Sequence, residues 1–309
     1  MRLLRFLRSW MLVIAMVTGV LLYVGYRCLD FLHPAGPAML SFCTHVQPIL
    51  IFSMLFLTFL KIEPSNLKPV RWHFILLLIQ GGVFTAGALT LYAFPNLAHG
   101  IALESFLLCM ICPTATACAV VTQRLGGDTA QVLSYTITIN LLASILIPLM
   151  VPLINPAEGV VFITAFTGIL SKIFPMLILP CVCAWALRYL MPRLHSKLVR
   201  YSNLSFYIWS FALTFAIMMS TRSLFRNPAG LSLLIDTAVA SLIACILQFS
   251  IGKRIGGVTA GQSLGQKNTV FAIWLGYTFL NPVTSLAGGF YCIWHNLYNT
   301  RQLRKAGKN

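Results

Sequence analysis

The sequence predicts an all-α integral membrane protein of ten transmembrane helices. Three observations carry that expectation. Of the 309 residues, 58% are hydrophobic and only 9% charged, against roughly a quarter charged in a soluble domain. The apolar residues gather into runs long enough to cross about 30 Å of hydrocarbon, which takes about 20 residues. The basic residues fall in alternate connections between those runs, as topology signals do. A soluble fold of this composition would expose an oily exterior to water, whereas a bilayer demands one. The net charge of +16 would suggest nucleic acid in a soluble protein. No stretch here interleaves Lys and Arg with aromatics as a nucleic-acid groove does, so nucleic acid is not an expected partner.

The first run, 8–27, follows Arg2, Arg5 and Arg8 and has the outline of a signal peptide. Trp10 to Tyr26 offers no small-x-small cleavage site and is long for a signal core, so it is read as the first helix. Segments near 37–60, 71–94, 99–124 and 128–153 follow, then 159–190, 203–224, 229–252, 256–280 and 282–300. Polar residues or Gly and Pro separate them, as at Pro95-Asn96, Gly126-Gly127-Asp128, Asn155-Pro156, Asn227-Pro228, Lys253-Arg254 and Asn281-Pro282. The cysteines show no metal or disulfide spacing. Seven of the nine, among them Cys109, Cys112, Cys118 and Cys245, lie in apolar runs where a thiol serves as a small hydrophobe.

The charge distribution tests this division independently. The N-terminus, the even-numbered loops and the C-terminus carry 17 of the 22 Lys and Arg residues, and the odd-numbered loops carry 3: Arg27, Arg222 and Arg226. One missed span would scramble that alternation. Both termini are therefore expected in the cytoplasm and the helix number is expected to be even. The ten segments divide into two fives, 1–155 and 156–309, the second with a short basic cytoplasmic tail. A tandem unit with an odd number of spans enters the membrane in opposite senses, which is the inverted-repeat arrangement of secondary transporters.

The fourth and ninth segments are the ones rich in polar and helix-weakening residues. The fourth holds Cys112-Pro113-Thr114-Ala115-Thr116-Ala117-Cys118-Ala119, and Pro113 removes a helical hydrogen bond. The ninth has glycines at 256, 257, 261 and 265 together with Gln262, Gln266, Lys267, Asn268 and Thr269. Small residues also let membrane helices pack closely, which is the plainer explanation of the fourth segment. The polar residues of the ninth cannot face lipid, and 262, 266 and 269 share one helical face. Lys267 stands about ten residues from either end of its segment, too deep to snorkel as Lys172 can. A mid-membrane lysine costs about 2.5–3.5 kcal/mol on insertion scales and needs a counter-charge, carbonyls or water. Asp236 in the eighth segment is the expected partner, with Glu104 a second candidate.

Three motifs now resemble the bile acid:sodium symporter family, within the wider group of bile, arsenite and auxin-type carriers. They are Cys112-Pro113 running on to Gly127-Asp128, Gly265-Gln266-Lys267-Asn268-Thr269, and Ile293-Trp294-His295-Asn296. With the ten-segment pattern they span nearly the whole chain. The resemblance implies a panel domain and a core domain, with the fourth and ninth helices broken and crossing in the core. It places substrate in the crevice beside that crossing and two sodium ions behind it. The implied location is a cell membrane, the bacterial inner membrane, with lipid around the chain and a small organic anion as substrate.

Carried over residue by residue, the family's sodium ligands do not survive intact. Where the family has Ser-Asn, this chain has Cys118 and Ala119; a hydroxyl position in the fifth helix is Val132, while Thr136 keeps its oxygen; the family's Glu is Gln262. Gln80 and Gln266 match family glutamines, but the neighbouring Asn is Lys267. Sodium, like other hard cations, wants oxygen ligands and negative charge. A lost carboxylate and a gained ammonium suggest a tethered cation in place of the ion. The expected site is thus Gln80, Thr114, Thr116, Cys118, Ala119, Thr136, Gln262, Gln266, Lys267, Asn268 and Thr269. The expected activity is secondary transport of an organic anion, with no cofactor and no metal. Such a carrier runs without sodium, or couples to protons if Lys267 titrates. A fixed positive charge and two helix N-termini favour an anionic substrate.

Other readings stay open beside it: an ordinary sodium-coupled symporter, or a ligand-binding membrane protein that has lost transport. An enzyme is not expected. The six acids, Asp30, Glu63, Glu104, Asp128, Glu158 and Asp236, are scattered, and no histidine sits in a His-Glu-x-x-His context. His295 is expected to serve packing or the interface. No ring of repeated polar residues marks a channel.

Overall fold

The computed structural model describes residues 2–156, 159–226 and 230–306, without the side chains of residues 2–9 and 66. The Asn227-Pro228 break, Glu158 and Lys308 lie outside the described residues. Within them the regular elements are all helices and there is no strand. In order the helices are α1 (Arg2–Cys28), α2 (Gly36–Phe59), α3 (Arg71–Ala93), α4 (Gly100–Ile111), α5 (Cys118–Arg124) and α6 (Thr129–Ile154). There follow α7 (Phe162–Leu190), α8 (Pro192–Arg200), α9 (Leu204–Arg226), α10 (Leu231–Gly265), α11 (Thr269–Phe279) and α12 (Ser285–Ala306).

Seven helical stretches among the described residues are long and apolar enough to cross a membrane, and α4 and α11 are shorter apolar helices. Large apolar side chains such as Leu21, Ile49, Leu78 and Leu190 point outward around the bundle. In water such a surface would aggregate; against acyl chains it is the required exterior. The chain is an all-α membrane protein. Prolines inside α2, α6 and α7 (Pro48, Pro148, Pro152, Pro175 and Pro180) fit this setting, where neighbouring helices and side chains re-satisfy the freed carbonyls.

Local chemistry explains the boundaries. Asp128 caps α6, its Oδ1 accepting the amides of Ala130 at 2.8 Å and Gln131 at 3.2 Å. Gly126, at φ 78°, makes the turn before that cap. Helix α10 is two helices joined at Gly256 and Gly257, whose dihedrals are non-helical. Gly257 has φ 65° and ψ −151°, a region essentially closed to side chains. The chain folds back so tightly that a Cβ on Gly252 would lie 2.5 Å from the Ala260 carbonyl oxygen. The sequence places this break at Lys253-Arg254; the helix instead runs on past them, because exposed basic side chains do not stop a helix and the glycines do.

Helix α9 packs against α1 and α2, α2 against α7, and α7 against α6 and α8; α3 to α6 and α10 to α12 pack on one another, and α9 also meets α11 and α12. Helix α1 lies along α9 with Ala15 and Tyr23 buried. One end of the bundle gathers the 60–72 connection, the start of α6 and the ends of α7 and α8. There His195 bonds the Leu60 carbonyl oxygen at 3.0 Å, Arg188 pairs with Glu63 at 3.1 Å, and the Lys68 amide donates to Ser134 at 2.8 Å. With a rise of about 1.5 Å per residue, the 24 residues of α2 carry Gly36 to the opposite end.

Candidate functional site

The fourth predicted segment is interrupted between α4 and α5, and the ninth between Gly265 and Thr269. The two interruptions touch. Thr114 and Lys267 form an antiparallel bridge, in which the Ala115 amide donates to the Gln266 carbonyl oxygen at 2.8 Å and the Asn268 amide to that of Pro113 at 2.9 Å. Thr114 Oγ1 adds a bond to the Ser263 carbonyl oxygen at 2.8 Å. Pro113 donates nothing and leaves its carbonyl oxygen for the partner strand, which is how a proline break becomes a contact point.

Each interruption leaves the last turn of a helix with carbonyls that have no partner in the helix. Side chains from elsewhere answer them. At the end of α4, Gln248 Nε2 donates to the Cys109 carbonyl oxygen at 3.3 Å and Lys267 Nζ to that of Met110 at 3.2 Å. Gln80 Nε2 lies 3.3 Å from both the Ile111 and the Cys112 carbonyl oxygens. Gln80 is held in turn by the Tyr135 hydroxyl, which donates to its Oε1 at 2.8 Å. At the end of α10 the Tyr291 hydroxyl donates to the Gly265 carbonyl oxygen at 2.8 Å. Lys267 is 2% exposed. Its Nζ therefore meets the negative end of the α4 dipole at close range.

The structure brings Gln80, Thr114, Gln266, Lys267 and Asn268 together at the crossing. Asn268 also caps α11, its Oδ1 accepting the Phe271 amide at 3.2 Å. Gln262 lies one turn away, donating to Gln302 of α12 at 2.7 Å and accepting from Gln266. Thr269 is buried. Cys118 is buried with its thiol 3.8 Å from the Thr122 hydroxyl, while Thr116 and Ala119 are half-buried in the connection and the first turn of α5. Thr136 turns its hydroxyl back to the Val132 carbonyl oxygen of its own helix at 2.8 Å.

Asp236 is not the partner of Lys267. Its carboxylate binds His99 Nδ1 at 2.8 Å, at the rim of a cavity of about 630 Å³. Glu104 accepts the Asn281 amide at 2.8 Å and the Thr284 hydroxyl at 3.0 Å. Among the described residues no carboxylate pairs with Lys267. The helix-end carbonyl does the work assigned to a counter-charge. His295 is buried against Tyr291, a packing position rather than an interfacial one.

Tyr135, Gln248, Tyr291 and Gln302 belong to this network and were not singled out in the sequence. Gln248 carried a usable signal, as a lone amide in an apolar segment. Gln302 was hidden in the basic tail, and the two tyrosines had no signal beyond their type. Two cavities flank the bundle, the one of about 630 Å³ near His99 and one of about 220 Å³ near Arg222, and neither is lined by residues of the crossing. Compared with protein-family models and with curated proteins, the chain matches none.

Proposed function

We propose that the chain is a secondary transporter of a small organic anion that runs without a sodium gradient, Lys267 taking the place of a bound cation. One observation carries this reading: the Lys267 ammonium sits on the Met110 carbonyl oxygen at the C-terminal end of a broken helix. In carriers with discontinuous helices, such C-terminal ends coordinate the coupling cation and the N-terminal ends face the anionic substrate. A covalently attached cation at the C-terminal end leaves the N-terminal ends of α5 and α11 for the substrate.

The donor set argues in the same direction. Cys118, Ala119 and Val132 offer a thiol and two hydrocarbon groups, which are poor ligands for a hard cation. The amide of Gln80 is already spoken for by Tyr135 and by two carbonyls. In this reading α4 with α5, and 258–279, are each one interrupted crossing, and α12 is the last of ten. The halves 1–155 and 156–309 are then inverted repeats, α1, α2, α7 and α9 are the panel, and the remaining helices are the core. In this reading the termini face the cytoplasm of a bacterial inner membrane, an orientation the basic loops support. The protein is a carrier rather than an enzyme.

The test is counterflow in proteoliposomes with a panel of organic anions, with sodium replaced by choline and across a pH series. Uptake that persists without sodium is expected. Uptake that depends strongly on sodium overturns the proposal.

A further inference from the structure

Three basic residues break the charge alternation: Arg27, Arg222 and Arg226. The fold gathers all three at the end of the bundle opposite the basic loops. Arg222 and Arg226 line the cavity of about 220 Å³ between α1, α2 and α9. Arg27 stacks on Phe225, its guanidinium carbon 4.6 Å from the ring centre. Among the described residues none of the three is paired with a carboxylate. Asp30, the acid nearest in sequence, has a 97% exposed side chain and lies 3.7 Å from His33.

Arg222 and Arg226 are i,i+4 neighbours, and like charges at that spacing repel. A bundle that holds them side by side at the edge of a cavity, with no carboxylate partner among the described residues, has a place for an anion. Tyr23 and Tyr26 of α1 give the cavity an aromatic wall. Tyr23 packs 6.1 Å from Tyr26 and 5.7 Å from Phe225, and the Tyr26 hydroxyl rests where Gly36 has no Cβ. The remaining lining is apolar, with Met39 and Leu40 of α2 facing Met218 and Met219 of α9. The space equals roughly seven water molecules at about 30 Å³ each, enough for an anionic headgroup and a few carbons but not for a whole lipid.

We propose that this cavity is a binding site for a phosphate-bearing amphiphile of net negative charge, its phosphate held by Arg222 and Arg226 and its first carbons lying against Met218 and Met219. Guanidinium suits this role because its fork of donors matches phosphate oxygens two at a time. The phosphate can come from an anionic phospholipid of the surrounding leaflet or from a free anion. None of the lining residues belongs to the crossing.

Native mass spectrometry and thermal melting of the full chain test it. The chain is placed in nanodiscs of phosphatidylcholine, with or without phosphatidylglycerol, and separately in detergent with inorganic phosphate. Phosphatidylglycerol is expected to be retained at least about tenfold better than phosphatidylcholine, a difference of about 1.4 kcal/mol. That preference should vanish in Arg222→Gln/Arg226→Gln and in Arg226→Gln alone, an exposed change that leaves folding intact. It should persist in Arg254→Gln, at the opposite end. Stabilisation by inorganic phosphate that is lost in the same variants supports the site with a free anion as its ligand. No preference for either probe, or a preference unchanged by Arg226→Gln and by the double change, overturns the proposal.

Discussion

Replacing Lys267 separates two roles that the crossing gives it, as a donor to a helix end and as a charge. The ammonium lies 3.2 Å from the Met110 carbonyl oxygen. A helix C-terminus carries about half a negative charge, so at an effective dielectric of about 20 the attraction is about 2–3 kcal/mol. Removing it also leaves that carbonyl without its side-chain donor, at about 1–3 kcal/mol. Against this, shedding a buried ammonium with no carboxylate beside it relieves a desolvation cost of several kcal/mol. The two sides nearly cancel, so Lys267→Met should change folding stability by no more than about 2 kcal/mol in either direction.

Transport should respond quite differently. A substrate carboxylate about 5 Å from the ammonium gains about 3 kcal/mol at the same dielectric, close to a hundredfold in affinity. Lys267→Gln keeps an amide donor on the carbonyl and drops only the charge. Counterflow of organic anions in proteoliposomes, alongside melting in detergent, reads both effects. The expected result is a folded Lys267→Gln protein whose uptake falls about a hundredfold. Uptake within about threefold of the unmodified chain, in a variant that melts normally, would refute the argument that the charge acts on the substrate.

The other predictions concern the supports of the site. Tyr135→Phe removes the donor to Gln80 Oε1 and should cost about 1–2 kcal/mol, read as a lowered melting temperature. Gly257→Ala forces a side chain into a backbone conformation at φ 65° and ψ −151°. It should cost about 1–3 kcal/mol, with the loss visible as faster hydrogen exchange at the α10 turn. Introducing Cys118→Ser, Ala119→Asn, Gln262→Glu and Lys267→Asn together supplies oxygen ligands and a carboxylate. Uptake by that variant should rise with sodium, and a flat sodium response would count against the tethered-cation reading.

Much of this arrangement was legible in the sequence, for reasons that differ from residue to residue. Pro113 marks its break because it has no N–H to give, and the polar run at 262–269 marks the other because lipid cannot accept it. Burial of Lys267 followed from its distance to both segment ends. Its partner did not follow. A search for partners along a sequence finds side chains, so it turns to Asp236 or Glu104, whereas a carbonyl belongs to every residue and is singled out only where a helix stops. The same limit hid Tyr135 and Tyr291, whose hydroxyls matter because of the carbonyl or amide that packing sets beside them. At the α10 turn, polarity pointed to Lys253-Arg254, while backbone conformation chose Gly256-Gly257.

The crossing is asymmetric in a way that bears on the sign of its ligand. The carbonyls of Cys109, Met110, Ile111 and Cys112 at the end of α4 each have a donor from Gln248, Lys267 or Gln80. Those of Ser263 and Gly265 have Thr114 and Tyr291. The ends that attract cations are answered by the chain itself. The start of α11 is not. Asn268 accepts the Phe271 amide, and among the described residues the amides of Thr269 and Val270 have no acceptor. Buried donors left over at the positive end of a helix, beside an ammonium with no carboxylate partner, call for an acceptor that carries negative charge. Because Lys267 and Thr269 are each only 2% exposed, such an acceptor can reach them only if the packing around them opens. Under the proposed function, an anion that binds there would stabilise an opened arrangement over this closed one, the differential affinity a carrier needs to move between states.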